Sequence, residues 1–420
     1  MKRNENRFFG KVQRFLAGLR ECPAAMLKEL WRRAVSAIFR PTRRVLKKCL
    51  VHTPVDPNTI VFMSNTGRYT CNPKYIYEEL KRRGAGYRLI WIRTKNEPAG
   101  NYPADAEVYV LNSLKSYRAV FGAKVWIDNG IAFSNHFEKK PNQIHIQTMH
   151  GSLGIKRMDN AVKSRVESGE RGRTVVRRES QNTNYVITNS AFEEGVFRSI
   201  FWKDTPMVRL GHARTDILFP DDTGLGKEIR RELMDRYQIP MDKKIAMYGP
   251  THRRGLTFED INIDYPAMIQ ALQTRFGGEF VVLLRLHDRI RNIMLTDIVS
   301  DSVFDVTDYP DMQRLMKVCD VGITDYSSWI YDYVLTGCPG FIYATDLERY
   351  NNNTGLYYPL EETPFPVCKN NEQLQKNILN FDMERFQRRR IEFLEDKQSV
   401  DDGSAAARIA DWLMEIAPAT

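Results

Sequence analysis

Twice along its length this chain runs through the same alternation: short β-branched or aromatic runs separated by stretches with helical apolar spacing. In the first series the pattern predicts strands at Thr59–Ser64, Arg88–Arg93, Glu107–Leu111, Lys124–Asp128, Ile144–Met149, Asn184–Thr188 and Met207–Leu210. Helices are expected between them at about Asn72–Arg83, Ser113–Phe121 and Ser190–Phe201. After the polar stretch Asp221–Gly226 the cycle restarts with Lys244–Tyr248, Glu279–Arg285, Ser302–Val306, Asp320–Thr324 and Gly340–Ala344. Strands that alternate with helices pair in parallel, because a right-handed helical crossover returns the chain to the same sheet edge. Two such series imply two parallel-sheet α/β domains facing each other across a cleft. Ligands of such sheets bind beyond the C-terminal strand ends, so the residues just after each strand come first as site candidates.

The length of 420 residues suits more than one domain. The expected divisions are 1–50, 51–225, 226–398 and a terminal helix within 399–420, whose apolar face (Ala405, Ile409, Trp412, Leu413) should pack back on the body. Charge separates the first of these from the rest. The whole chain is +10, yet residues 1–50 hold fourteen Lys/Arg against three Glu, so the other 370 residues are close to neutral. That distribution excludes a generally cationic coat for nucleic acid. Between Phe8 and Phe39 apolar residues recur at helical spacing among Arg and Lys, and no run there reaches the roughly 18–20 residues that span a bilayer. This reads as an in-plane anchor on an anionic membrane, or as a helix packed on the body or a partner. Six cysteines without a C-x-x-C pair argue against a zinc site or a disulfide framework and for a reducing cytoplasm. Anchor and compartment together place the chain on the cytoplasmic face of a membrane.

Several strand ends carry chemistry. His150-Gly151 closes the strand IHIQTM, where an imidazole is placed to act as a general base. A basic stretch follows, with Lys156, Arg157, Lys163, Arg165, Arg171, Arg173, Arg177 and Arg178, read as a solvated loop or as a contact for phosphate groups or lipid heads. Thr251-His252-Arg253-Arg254 follows the first strand of the second series, and Arg285-Leu286-His287 ends the second. In Thr324-Asp325-Tyr326-Ser327-Ser328 a strand runs into a helix start, whose N–H groups and hydroxyls suit a diphosphate. Asp332, one turn on, is a candidate acceptor for ribose hydroxyls; the alternative is an ordinary Ser cap with a solvated Asp.

These segments resemble the bacterial CDP-glycerol glycerophosphotransferases of teichoic acid and capsule synthesis. The likeness runs from Asn72-Pro73-Lys74-Tyr75-Ile76-Tyr77 through His150-Gly151, Gly211-His212-Ala213-Arg214-Thr215-Asp216, Tyr248–Arg253, Leu284–His287 and Thr324–Ser328. It ends in Asp346-Leu347-Glu348-Arg349-Tyr350 and Gly355-Leu356-Tyr357. His252 stands where the family usually has Trp, and Asp288 where Pro often follows the histidine. The resemblance implies a GT-B architecture with the donor held mainly by the second domain. It implies transfer of glycerol phosphate from CDP-glycerol, or of ribitol phosphate from CDP-ribitol, to a lipid-linked saccharide or polymer, with release of CMP. On this pattern His150 is the base and His287 stabilises the diphosphate with Arg253, Ser327 and Ser328; no cofactor or metal is required. Gly151, Thr251, Arg285, Thr324, Asp325 and Asp332 complete the expected substrate-binding set. The rival readings are a GT-B glycosyltransferase using a nucleotide sugar and a noncatalytic membrane adaptor.

Overall fold

The computed structural model describes residues 49–65, 67–151, 153–154, 156–220, 223–251, 253, 256–257, 259–286 and 299–419. The chain divides into two compact units, Met1–Pro54 and Val55–Thr420. The amphipathic pattern between Phe8 and Phe39 lies outside the described residues, as do His252, Arg254 and His287. No described helix is long and apolar enough to cross a membrane.

Within Val55–Thr420 the two series of strands form two separate parallel sheets. The first holds β1 (Asp56–Met63), β2 (Arg88–Arg93), β3 (Glu107–Val110), β4 (Ala123–Asp128), β5 (Ile144–Gln147), β6 (Tyr185–Thr188) and β7 (Met207–Arg209), in the order β3-β2-β1-β4-β5-β6-β7. The second holds β8 (Lys244–Tyr248), β9 (Phe280–Leu284), β10 (Val303–Asp305), β11 (Val321–Thr324), β12 (Gly340–Tyr343) and β13 (Val367–Cys368), in the order β10-β9-β8-β11-β12-β13. Each order reverses once, between β1 and β4 and between β8 and β11. A crevice opens at such a switch point, because crossovers on its two sides leave in opposite directions.

The central strands are buried on both faces, which explains their continuous apolar runs: Ile60 to Met63 in β1 and Phe280 to Leu284 in β9 are buried throughout. Helix Cys71–Arg82 covers the first sheet with Ile76, Tyr77 and Leu80. The terminal helix Ala405–Ile416 joins the same cluster through Ile409, Ala410 and Leu413, and Trp412 meets Tyr185 edge-on with ring centres 5.0 Å apart. The chain therefore returns from the second sheet to the first.

Two buried ion pairs tie the halves together. Arg214 grips both oxygens of Asp332 (2.8 and 3.1 Å), and Lys74 reaches Asp311, which also accepts from the Tyr75 hydroxyl at 2.9 Å. Breaking one partner of such a pair strands a buried charge, at a cost of about 3–5 kcal/mol. The basic stretch after His150 differs from a simple loop: it folds as two helices, Asp159–Glu167 and Glu170–Asn182. Val175 is the buried apolar side chain of the second. Arginine-rich spacing hides this amphipathicity.

Candidate active site

The tips of β5, β8 and β11 surround a cleft of about 640 Å³. From the first half it is lined by His150, Gly151, Lys156 and Glu193, and from the second by Thr251, Ser327 and Ser328. The floor under His150 is polar and closed. Asp128, at the end of β4, accepts from Gln147 at 2.9 Å and lies 3.0 Å from His145 Nε2; its carbonyl takes the Thr148 N–H at 2.8 Å. Gln147 accepts the Met149 N–H at 2.9 Å and donates to Glu179 at 2.9 Å. Met149 itself adopts a left-handed backbone with φ +49°, uncommon for a side chain of its kind, and this turn lifts His150 out of the strand.

His150 is exposed towards the cleft. Its Nδ1 lies 2.5 Å from the Asn129 carbonyl oxygen. A carbonyl can only accept, so Nδ1 carries the proton and Nε2 keeps its lone pair. Desolvation by the protein that surrounds the cleft mouth lowers the ring's pKa from the ordinary 6.5; Asn129 and Asp128 oppose that, and the Arg214 charge reinforces it. A neutral imidazole with an open Nε2 is what proton abstraction needs. Lys156 brings a cation to the same cleft, with its pKa lowered by burial and partly restored by Asp325. Gly151 has open space where a Cβ would stand.

On the other side, Ser328 is the N-cap of helix Trp329–Tyr333, and its hydroxyl is not spent on the cap. Behind the serines is a tightly paired cluster. Arg253 donates to Asp325 at 2.5 Å and to both oxygens of Asp346 at 2.8 and 2.6 Å, with its guanidinium 5.0 Å from the Tyr326 ring centre. Tyr326 stacks on Tyr350 at 3.7 Å and donates to Asp346 at 2.9 Å. Asp325 also accepts the N–H groups of Thr251 (2.8 Å) and Tyr326 (2.6 Å). The close approach of Gly249 completes the packing: a Cβ there would stand 2.8 Å from Trp329 Nε1.

Five of the expected contacts are engaged within the protein. Arg253 pairs with two carboxylates and holds the β8, β11 and β12 tips together. Asp325 is buried under that same load. The Thr324 hydroxyl donates to the Gly249 carbonyl at 2.7 Å and has no exposure. Arg285 is turned onto the Val306 and Tyr309 carbonyls (3.0 and 2.6 Å) and ties down the loop after β10. Asp332 is 3% exposed, and both its oxygens accept from Arg214. His150, Gly151, Thr251, Ser327 and Ser328 do come together, while His287 lies outside the described residues.

The sequence reading missed Glu193, which lines the cleft from the first turn of helix Ala191–Ile200 and looks like any acidic residue at a helix start. It also left Asp346 and Tyr350 as motif letters. The Gly355-Leu356-Tyr357 segment packs on the stretch after His150: Arg157 N–H donates to the Gly355 carbonyl at 3.1 Å, and Lys156 bridges to Leu356. Among the described residues no group of three His, Cys, Asp or Glu could hold a metal ion.

Similarity to known proteins fits this arrangement. Residues 45–415 match the family model of CDP-glycerol:poly(glycerophosphate) glycerophosphotransferase. The chain is 32% identical over 374 residues to the teichoic acid poly(glycerol phosphate) polymerase of Staphylococcus epidermidis, covering 86% of this chain and 51% of that one. It thus spans about half the length of that relative and of the corresponding polymerase of Bacillus subtilis. The teichoic acid glycerol-phosphate transferase of Staphylococcus aureus is 27% identical over 407 residues, covering 93% of this chain and 100% of that one. The solved structure of the wall teichoic acid polymerase TagF superposes with a TM-score of 0.76 at 29% identity, over 93% of this chain and 97% of that one. The two parallel-sheet domains accordingly form a GT-B-like architecture, and the chain belongs to the CDP-glycerol:poly(glycerophosphate) glycerophosphotransferase family.

Proposed function

We propose that this chain transfers glycerol phosphate from CDP-glycerol to a hydroxyl of a lipid-linked saccharide or polyol-phosphate polymer in teichoic acid synthesis. One observation carries the reading: the open Nε2 of His150 shares a single cleft with Ser327, Ser328 and the Lys156 cation. The acceptor oxygen forms a bond to the β-phosphorus of the donor and gives its proton to His150 Nε2. The bond from that phosphorus to the bridging oxygen breaks, and CMP leaves with the electron pair. Lys156 and the Ser327 and Ser328 hydroxyls offset the charge on the diphosphate, because fixed donors in a cleft need no reorganisation as charge develops; the family resemblance adds His287 to that role. The basic segment 1–50 holds the enzyme to the anionic cytoplasmic face of the membrane, where a lipid-linked acceptor resides.

The test is release of CMP from CDP-glycerol or CDP-ribitol, against release of UDP from a UDP-sugar, by the purified chain supplied with a lipid-linked acceptor. CDP-glycerol should be turned over fastest, and His150→Ala should lower kcat by about 10²–10⁴-fold. Full turnover by that variant would remove His150 as base. Preference for a UDP-sugar would replace the reaction by glycosyl transfer, and donor binding without turnover would point to an adaptor.

A further inference from the structure

The segment Asn72-Pro73-Lys74-Tyr75 sits far from the cleft in sequence and enters none of the chemistry above. Its first residue nevertheless touches the backbone that presents His150. Asn72 Nδ2 donates to the carbonyl oxygens of Thr148 (2.8 Å) and Met149 (3.1 Å) and lies 3.2 Å from His212 Nδ1. Asn72 Oδ1 accepts the Arg214 N–H at 3.1 Å. Two carbonyl oxygens cannot donate and an N–H cannot accept, so the partners alone decide which way the amide points. The same logic makes His212 Nδ1 an acceptor, which puts its proton on Nε2, 3.0 Å from Glu193 on the cleft wall. Asn72 is 1% exposed, and none of its four polar contacts is with solvent.

The two carbonyls that Asn72 holds belong to the two residues immediately before His150, and the second is the left-handed Met149. A strained residue of this kind keeps its conformation only where its surroundings over-determine it. Gln147 fixes the N–H of Met149 and Asn72 fixes its C=O. We infer that Asn72 is a positioning residue: it clamps the Met149 turn and thereby sets where the His150 imidazole stands in the cleft. Arg214, whose N–H lies on the same amide, carries the ion pair to Asp332 in the second half, so one side chain joins the base to the contact between the two sheets. The inference rests on the reading of His150 as base.

The test uses the purified chain with CDP-glycerol and lipid-linked acceptor, and three variants. Asn72→Asp keeps the size and the acceptor for Arg214 but sets an oxygen against the two carbonyls. Asn72→Ala removes every contact, and Asn72→Ser restores one donor. The expected result is a fall in kcat of about 10–100-fold for Asp and Ala, a smaller fall for Ser, and a donor KM within about twofold of the parent. In the Ala variant the acid limb of kcat/KM should move up towards the ordinary imidazole range. The charged groups around the ring (Asp128, Arg214, Lys156 and Glu193) are unchanged in that variant, so a moved limb reports the ring's position. Unchanged kcat per folded molecule with an unmoved acid limb overturns the inference. So does loss of folding in all three variants, since a fold-wide role would then account for the contacts. If His150→Ala is fully active, the base reading fails on its own; if it is inactive while the Asn72 variants behave as the parent, only the positioning role fails.

Discussion

The two sheet edges that face the cleft are built on opposite plans. At the tip of β5 the proposed base is open and its support is hidden: His150 faces the cleft while Asn129, Gln147 and Asp128 work from below. At the tips of β8 and β11 the residues that look reactive are themselves the support. Arg253, Asp325 and Asp346 pair with one another, and small groups are presented instead: the hydroxyls of Ser327 and Ser328. Under the proposed function the difference matches two tasks. A base needs one atom at one place with a free lone pair. A diphosphate needs many short donors on a rigid frame, and a frame built from charges must neutralise them internally before it can be buried.

The sharpest way to break this contrast is to remove the keystone of the second edge. Arg253→Ala strands Asp325 and Asp346, which share that guanidinium with little exposure of their own. It should cost about 3–5 kcal/mol of unfolding free energy in denaturant titrations. Arg253→Lys should recover only part of that, since an ammonium cannot serve both carboxylates through a planar fork. A variant that melts like the parent yet binds donor weakly would make Arg253 a ligand after all, and the two edges would be alike.

A smaller effect tests the presented groups. Ser327→Ala with Ser328→Ala removes two hydroxyls that the fold does not use for capping, so stability should shift by less than about 0.5 kcal/mol. The kcat/KM for CDP-glycerol should fall by about 10–100-fold, as expected for lost hydrogen bonds to a charged ligand. Equal losses in melting and turnover would assign these serines to structure.

How much of this was legible in the sequence follows the same divide. The alternation of β1 to β12 with helices was readable, because buried parallel strands are continuous apolar runs. β13 was not: two residues, Val367 and Cys368, are too few to show a period. His150 was legible as a candidate because its position at a strand tip is local information. The fate of Arg253 and Asp332 was not, since their partners lie 93 residues downstream at Asp346 and 118 residues upstream at Arg214. Only the fold brings those segments together, and until it does a buried ion pair reads as a free ligand.

The last effect concerns the floor beneath the open edge. Glu179, on helix Glu170–Asn182, is fully buried beside Asp128, and burial, then the Asp128 charge, push its carboxyl up to about 7 from 4.5. Gln147 and Thr183 meet one of its oxygens, and His145 and Ser134 also face it. A folded-state pKa above the unfolded one means that stability is fully present below about 4.5 and is lost as pH rises through about 7. The parent chain should therefore lose stability between pH 5 and pH 8, by about 2–3 kcal/mol from this group. Glu179→Gln keeps the acceptor for Gln147 and cannot ionise, so its melting temperature should exceed the parent's at pH 8 and approach it at pH 5. The acid limb of turnover should stay where it is, because the floor carries His150 without exchanging a proton with it. If that limb moves with Glu179, the support beneath β5 is part of the chemistry, and the separation of reactive group from frame holds only at the second edge.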